Sequence, residues 1–77
     1  MGLLSTKDYN ILASALRRGE EIVVERTLGT TAVTAKTFRV AYPWPVPMIV
    51  QVRVTKDGFF WLQNFTSVEE ARRNVDV

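Results

Sequence analysis

The sequence contains no cysteine and no histidine among its 77 residues. Without cysteine there is no disulfide, no thiolate nucleophile and no thiolate metal site. Without histidine the usual acid or base for neutral pH is missing as well. Any metal would need an all-oxygen shell, and no Asp-rich loop with calcium-hand spacing occurs. The four glycines, at 2, 19, 29 and 58, stand alone, so there is no glycine-rich phosphate loop. Glu20, Glu21 and Glu25 form one acidic grouping and Glu69 with Glu70 another. Both read as solvated faces and helix-dipole partners, because neither has the framing of a paired acid and base. These absences point away from an enzyme, with no cofactor and no metal expected.

Charge of one sign is scarce too. Ten Lys and Arg stand against eight Asp and Glu, a net +2 that does not by itself imply nucleic acid or an anionic membrane. No apolar run reaches the roughly 18 residues a spanning helix needs, and the first residues lack a basic segment followed by an apolar one. The expectation is a soluble, cytoplasmic protein with no membrane partner. Met1-Gly2 with Thr6 fits a loose myristoylation pattern, and Asn64-Phe65-Thr66 fits a glycosylation sequon. The first serves equally well as a helix start, and the second matters only in a secreted chain.

What is present is the composition of a globular domain, 47% hydrophobic and 23% charged. At this length about 60% of the unfolded surface is buried on folding, enough for one thin core and a single domain over residues 1–77. Ser5 to Arg18 reads as a helix. Ser5 is its N-cap, Asp8 places a carboxylate at the positive end, and Leu4 with Tyr9 forms a hydrophobic staple. Tyr9, Leu12, Ala13 and Leu16 line one face, and Gly19 suits the left-handed position that ends the helix. Strands follow, around Ile22 to Val24 and from Ala32 to Tyr42, joined near Leu28-Gly29-Thr30. Pro43-Trp44-Pro45-Val46-Pro47 is a stiff connector, because proline brings no N–H to a ladder. A short helix restarts after Thr66 or Ser67, with Glu69 or Glu70 at capping-box spacing, and ends near Val75. The fold class is α+β: a small antiparallel sheet of three to four strands with an N-terminal and a short C-terminal helix, in the order α-β-β-β-β-α.

The most informative stretch runs from Pro47 to Phe65. Asp57-Gly58 lies between two apolar runs and suits a two-residue type I′ turn, in which both central residues need φ > 0. That turn sets Lys56 opposite Phe59, Val54 opposite Trp61, Val52 opposite Gln63 and Val50 opposite Phe65. Thr55, Arg53 and Gln51 then oppose Phe60, Leu62 and Asn64 on the other face. One face can form the core. The other carries Ile49, Phe60 and Leu62 around Arg53, an apolar grouping that needs a cover. Three covers fit: a protein partner, a second copy of the chain, or the second helix lying on that face. Trp44, between two prolines, is either an exposed anchor or a cap folded back on the core.

The run Phe59-Phe60-Trp61-Leu62-Gln63-Asn64-Phe65-Thr66-Ser67-Val68-Glu69-Glu70-Ala71-Arg72 resembles the last-strand-to-helix junction of phage-integrase arm-binding domains, which read DNA with a sheet backed by a helix. The order of elements is similar to that of double-stranded-RNA-binding domains, although Val68-Glu69-Glu70 stands where that family carries lysines. Two functions are expected from the residues. The first is a non-enzymatic binding module acting through protein–protein contacts, an accessory, regulatory or inhibitory protein of phage or mobile-element type. Its partner-binding residues are Ile49, Arg53, Phe60, Leu62 and Trp44. The alternative is a double-stranded nucleic-acid-binding domain using Lys36, Arg39, Arg53, Arg72 and Arg73, with Lys36, Arg39 and Arg53 sharing a sheet face.

Overall fold

A computed structural model describes residues 2–75. It contains helix α1 (Thr6–Arg18), strands β1 (Val23–Leu28), β2 (Thr31–Arg39), β3 (Met48–Lys56) and β4 (Phe59–Phe65), and helix α2 (Val68–Asn74). The strands form an open antiparallel sheet in the order β1-β2-β3-β4, so the fold is α+β with the element order read from the sequence. Local chemistry explains each boundary. Ser5 Oγ accepts from the Asp8 N–H at 3.1 Å while Asp8 Oδ2 accepts from the Ser5 N–H at 3.0 Å, a complete capping box at the start of α1. Gly19 closes the helix at φ 71°, the left-handed conformation a side chain would strain. Ser67 caps α2, its hydroxyl accepting from the Glu70 N–H, which decides between the two caps the sequence offered. β2 ends at Arg39 rather than running on to Tyr42, although the Val40 N–H still donates to the Pro47 carbonyl across the connector.

The β3–β4 hairpin has the register the turn requires. Asp57 (φ 49°) and Gly58 (φ 85°) both adopt positive φ, and Lys56 pairs with Phe59, Val54 with Trp61 and Val50 with Phe65. A Cβ at Gly58 would meet nothing within 4 Å, so a side chain there strains the backbone alone. Gly58→Ala is therefore expected to lower stability by about 1–2 kcal/mol without changing the fold, measured as a shift in urea midpoint at constant slope.

Both helices lie on one face of the sheet. Tyr9 and Leu12 of α1 and Val68 and Ala71 of α2 join Val24, Val33, Ala35, Val50, Val52, Val54 and Phe65 in a single core. Thr37 ties the α1–β1 link to this layer. Its buried hydroxyl donates to the Glu20 carbonyl at 2.7 Å and accepts from the Ile22 N–H at 3.0 Å. The opposite, outer face carries no helix.

Candidate functional site

Alternation along the paired strands decides which side chains reach the outer face. Val33, Ala35 and Thr37 pair with Val54, Val52 and Val50 on the helix side. Ala32, Thr34, Lys36 and Phe38 therefore project outward with Thr55, Arg53, Gln51 and Ile49 opposite them, and Phe60, Leu62 and Asn64 continue the rows on β4. Phe60 and Leu62 are 62% and 46% exposed. They join Thr34, Lys36, Gln51 and Arg53 in lining a shallow hollow of about 190 Å³. Gln51 Nε2 donates to Asn64 Oδ1 at 3.0 Å, which fixes the polar end of this row. The Lys36 ammonium lies 5.5 Å from the centroid of the Phe38 ring, so its charge stays on the sheet surface. Glu25 on β1 accepts from the Thr34 hydroxyl at 3.2 Å and is the acid of that neighbourhood. The hollow thus sets two cations beside two apolar side chains.

Three expected site residues in the sheet and its connector fall elsewhere. Ile49 has the parity of the outer face but is 1% exposed, so it cannot meet a partner. It also stands outside the main core cluster. Trp44, in the connector between β2 and β3 and 38% exposed, lies at the opposite end of the strands from the hairpin turn and away from Phe60. Arg39 does not share a face with Lys36 and Arg53. It pairs with Met48 on the helix side, and its guanidinium donates to the Gly19 carbonyl at 3.0 Å.

Arg72 and Arg73 are on α2, behind the sheet. They line a hollow of about 560 Å³ between the start of α1 and the end of α2. There Arg72 donates to Thr6 Oγ1 at 3.0 Å and its guanidinium lies 5.6 Å from the Tyr9 ring centroid. The five candidate nucleic-acid residues are therefore divided between two faces, whereas duplex binding needs several cations on one side. Arg53, Phe60 and Leu62 are the expected partner-binding residues that the fold brings together, and Lys36 joins them.

A second apolar group was not foreseen. Phe59 is 80% exposed and Trp61 37%, although both have the parity of the core face. The reason is length. Nine residues of β3 extend about 30 Å, whereas α2 with seven residues spans about 10 Å, so the hairpin tip projects past the helix layer. Compared with known proteins, the chain matches no family model, no curated protein and no solved structure. Among the described residues, no group of three or more carboxylates converges to hold a metal ion, and no helix is long and apolar enough to cross a membrane.

Proposed function

We propose that this protein is a non-enzymatic binding module that docks a protein segment on its outer sheet face. The observation that carries the reading is the hollow lined by Lys36, Arg53, Phe60 and Leu62 on a face that no helix covers. Phe60 and Leu62 supply apolar area, and Arg53 offers a planar fork suited to a carboxylate. The matching partner is a segment with an acidic side chain next to an apolar one. Polar groups at the rim, Thr34 and Gln51, would fix its register.

Selection of displayed peptides against the immobilised chain tests this. Enriched peptides are expected to pair an acid with a neighbouring apolar residue. Their affinity should fall at least about tenfold for Phe60→Ala and for Arg53→Ala, both folded by circular dichroism. Unchanged affinity in both variants would remove the outer face from consideration. The alternative, duplex binding, is met by titration with duplex DNA and duplex RNA at about 50 mM salt, where phosphate attraction is strong. The division of the arginines between two faces predicts no binding tighter than the weak non-specific range, and tight salt-sensitive binding would transfer the function to nucleic acid.

A further inference from the structure

The two edges of the sheet are built differently. β1, at one edge, reads Val-Val-Glu-Arg-Thr-Leu and sets Glu25 and Arg26 in its middle, the charged guard that discourages strand addition. β4, at the other edge, reads Phe-Phe-Trp-Leu-Gln-Asn-Phe and holds no charge, no proline and no glycine. Its apolar side chains are exposed on both faces, Phe60 and Leu62 on the outer side and Phe59 and Trp61 on the helix side. An unguarded edge of this kind is a template for another strand.

The hairpin determines which backbone groups it offers. Lys56 and Phe59 flank a two-residue turn and so exchange ladder bonds with each other. By alternation the N–H and C=O groups of Phe60, Leu62 and Asn64 point away from β3, out of the sheet edge.

We propose that β4 pairs antiparallel with β4 of a second copy, joining two four-stranded sheets into one continuous sheet. The two-fold axis stands normal to the sheet and passes beside Trp61. This register sets Phe60 opposite Leu62 of the copy on the outer face and Trp61 opposite its own counterpart on the helix face. Four reasons favour a second copy over another occupant. The strand carries no charge that self-pairing would set against its like. The register matches apolar residues with apolar residues throughout its centre. The four exposed side chains present roughly 450 Å² per copy, taking about 150–250 Å² for each whole aromatic. Doubled, this exposed area is a ceiling of about 900 Å² on the apolar surface two copies could cover, which places the pair among the small interfaces below about 1,200 Å² and suits association in the micromolar range. Finally, two-fold pairing consumes both unguarded edges and leaves the charged β1 strands outermost, so the assembly closes at two copies instead of growing. The inference does not need the docking proposal: it shares Phe60 and Leu62 with that hollow but rests on the backbone edge of β4, and Arg53→Ala tells the two apart.

Sedimentation equilibrium of the full chain from about 1 to about 200 µM, with amide exchange read by NMR, tests it. The wild type is expected to pass from monomer to dimer in this range, with the Phe60 and Leu62 amides becoming slow to exchange as it does. Leu62→Pro, which deletes an outward N–H while sparing the bonds to β3, and Leu62→Lys, which opposes charge to apolar area, are both expected to stay monomeric. Val23→Lys, on the same outer face but at the β1 edge, and Arg53→Ala, one strand inward, are expected to dimerise like the wild type. A wild type that stays monomeric throughout overturns the proposal. So does a dimer that Val23→Lys abolishes while the Phe60 and Leu62 amides stay open, since that association would be face to face.

Discussion

Phe65→Ala is expected to lower stability by about 3–5 kcal/mol, the range for truncating a fully buried phenylalanine. Phe65 is 1% exposed and is the largest of the fully buried side chains. It stands at the end of β4, opposite Val50, two residues before the Ser67 cap of α2, so it fills the corner where the sheet turns into the second helix. The Trp61 ring lies 6.4 Å away at a tilt of 40°, which gives a fluorescence reporter at the site of the change. A domain of this length has a total stability of roughly 4–12 kcal/mol, so the loss is a large share and corresponds to a fall in Tm of about 15 °C or more. Phe60→Ala, in the same strand but on the outer face, is expected to cost under about 1 kcal/mol. Urea unfolding of both variants at low protein concentration compares them directly. Equal losses would mean that β4 does not have the register on which both the core and the proposed docking face depend.

The hairpin, its register and the ends of α1 were legible in the sequence because each is a short-range matter. Asp57-Gly58 permits one kind of turn, and that turn dictates every pair up to Val50 and Phe65. Ser5 with Asp8, and Gly19 after Arg18, are stop and start signals within a few residues of what they control. The placement of α2 was not legible. A seven-residue helix with Val68 and Ala71 as its buried residues has too narrow an apolar stripe to say which sheet face it takes, and it packs beside α1 instead of covering Phe60 and Leu62. Ile49 was misplaced for a related reason. Its alternation was read correctly, but it stands one residue inside β3 next to the proline-rich connector, and strand periodicity assigns a face without reporting whether that face is covered there. Arg39 was a miss of alternation, since it stands three residues from Lys36 in one strand and so takes the opposite face whatever the pairing with β3.

The exposed Phe59 and Trp61 expose the limit of a two-face reading. Alternation assigns a residue to the core side of a strand, but burial also needs something above it. The short α2 beside the longer β3 accounts for these two residues, but only once the face that α2 takes is known. Together with Phe60 and Leu62 they make the hairpin tip apolar on both faces, and this concentration at one edge separates β4 from the charged β1. The two proposals therefore concern adjoining surfaces of one sheet, a face that suits a side-chain contact and an edge that suits a backbone one. Substitutions separate them, because Arg53 belongs to the face alone while the outward N–H of Leu62 belongs to the edge.

Asp8→Asn is expected to lower stability by about 2–3 kcal/mol at neutral pH and to remove part of the acid sensitivity of folding. Asp8 is buried and serves two elements at once. One carboxylate oxygen accepts from the Ser5 N–H in the capping box, and the other accepts from the Arg26 guanidinium on β1 at 2.7 Å. The pair spans the first helix and the edge strand, 18 residues apart in sequence. A charge-assisted bond of this kind contributes about 1.5–3 kcal/mol and a cap about 1 kcal/mol, with the half-exposed Arg26 free to recover water when its partner is lost. The Ser5 N–H is the largest influence holding the Asp8 carboxyl below its ordinary value; burial opposes it and Arg26 adds to it. Because the folded value is the lower one, the unfolded chain takes up this proton first as pH falls. The stabilisation is therefore complete above the unfolded value, near pH 4, and is lost as pH falls through the folded value. Urea unfolding of both proteins from pH 7 down to about pH 2 is expected to show a gap that narrows below about pH 4. A gap that stays constant over that range would mean that the shape of the side chain matters and its charge does not, and the link between α1 and β1 would then rest on packing alone.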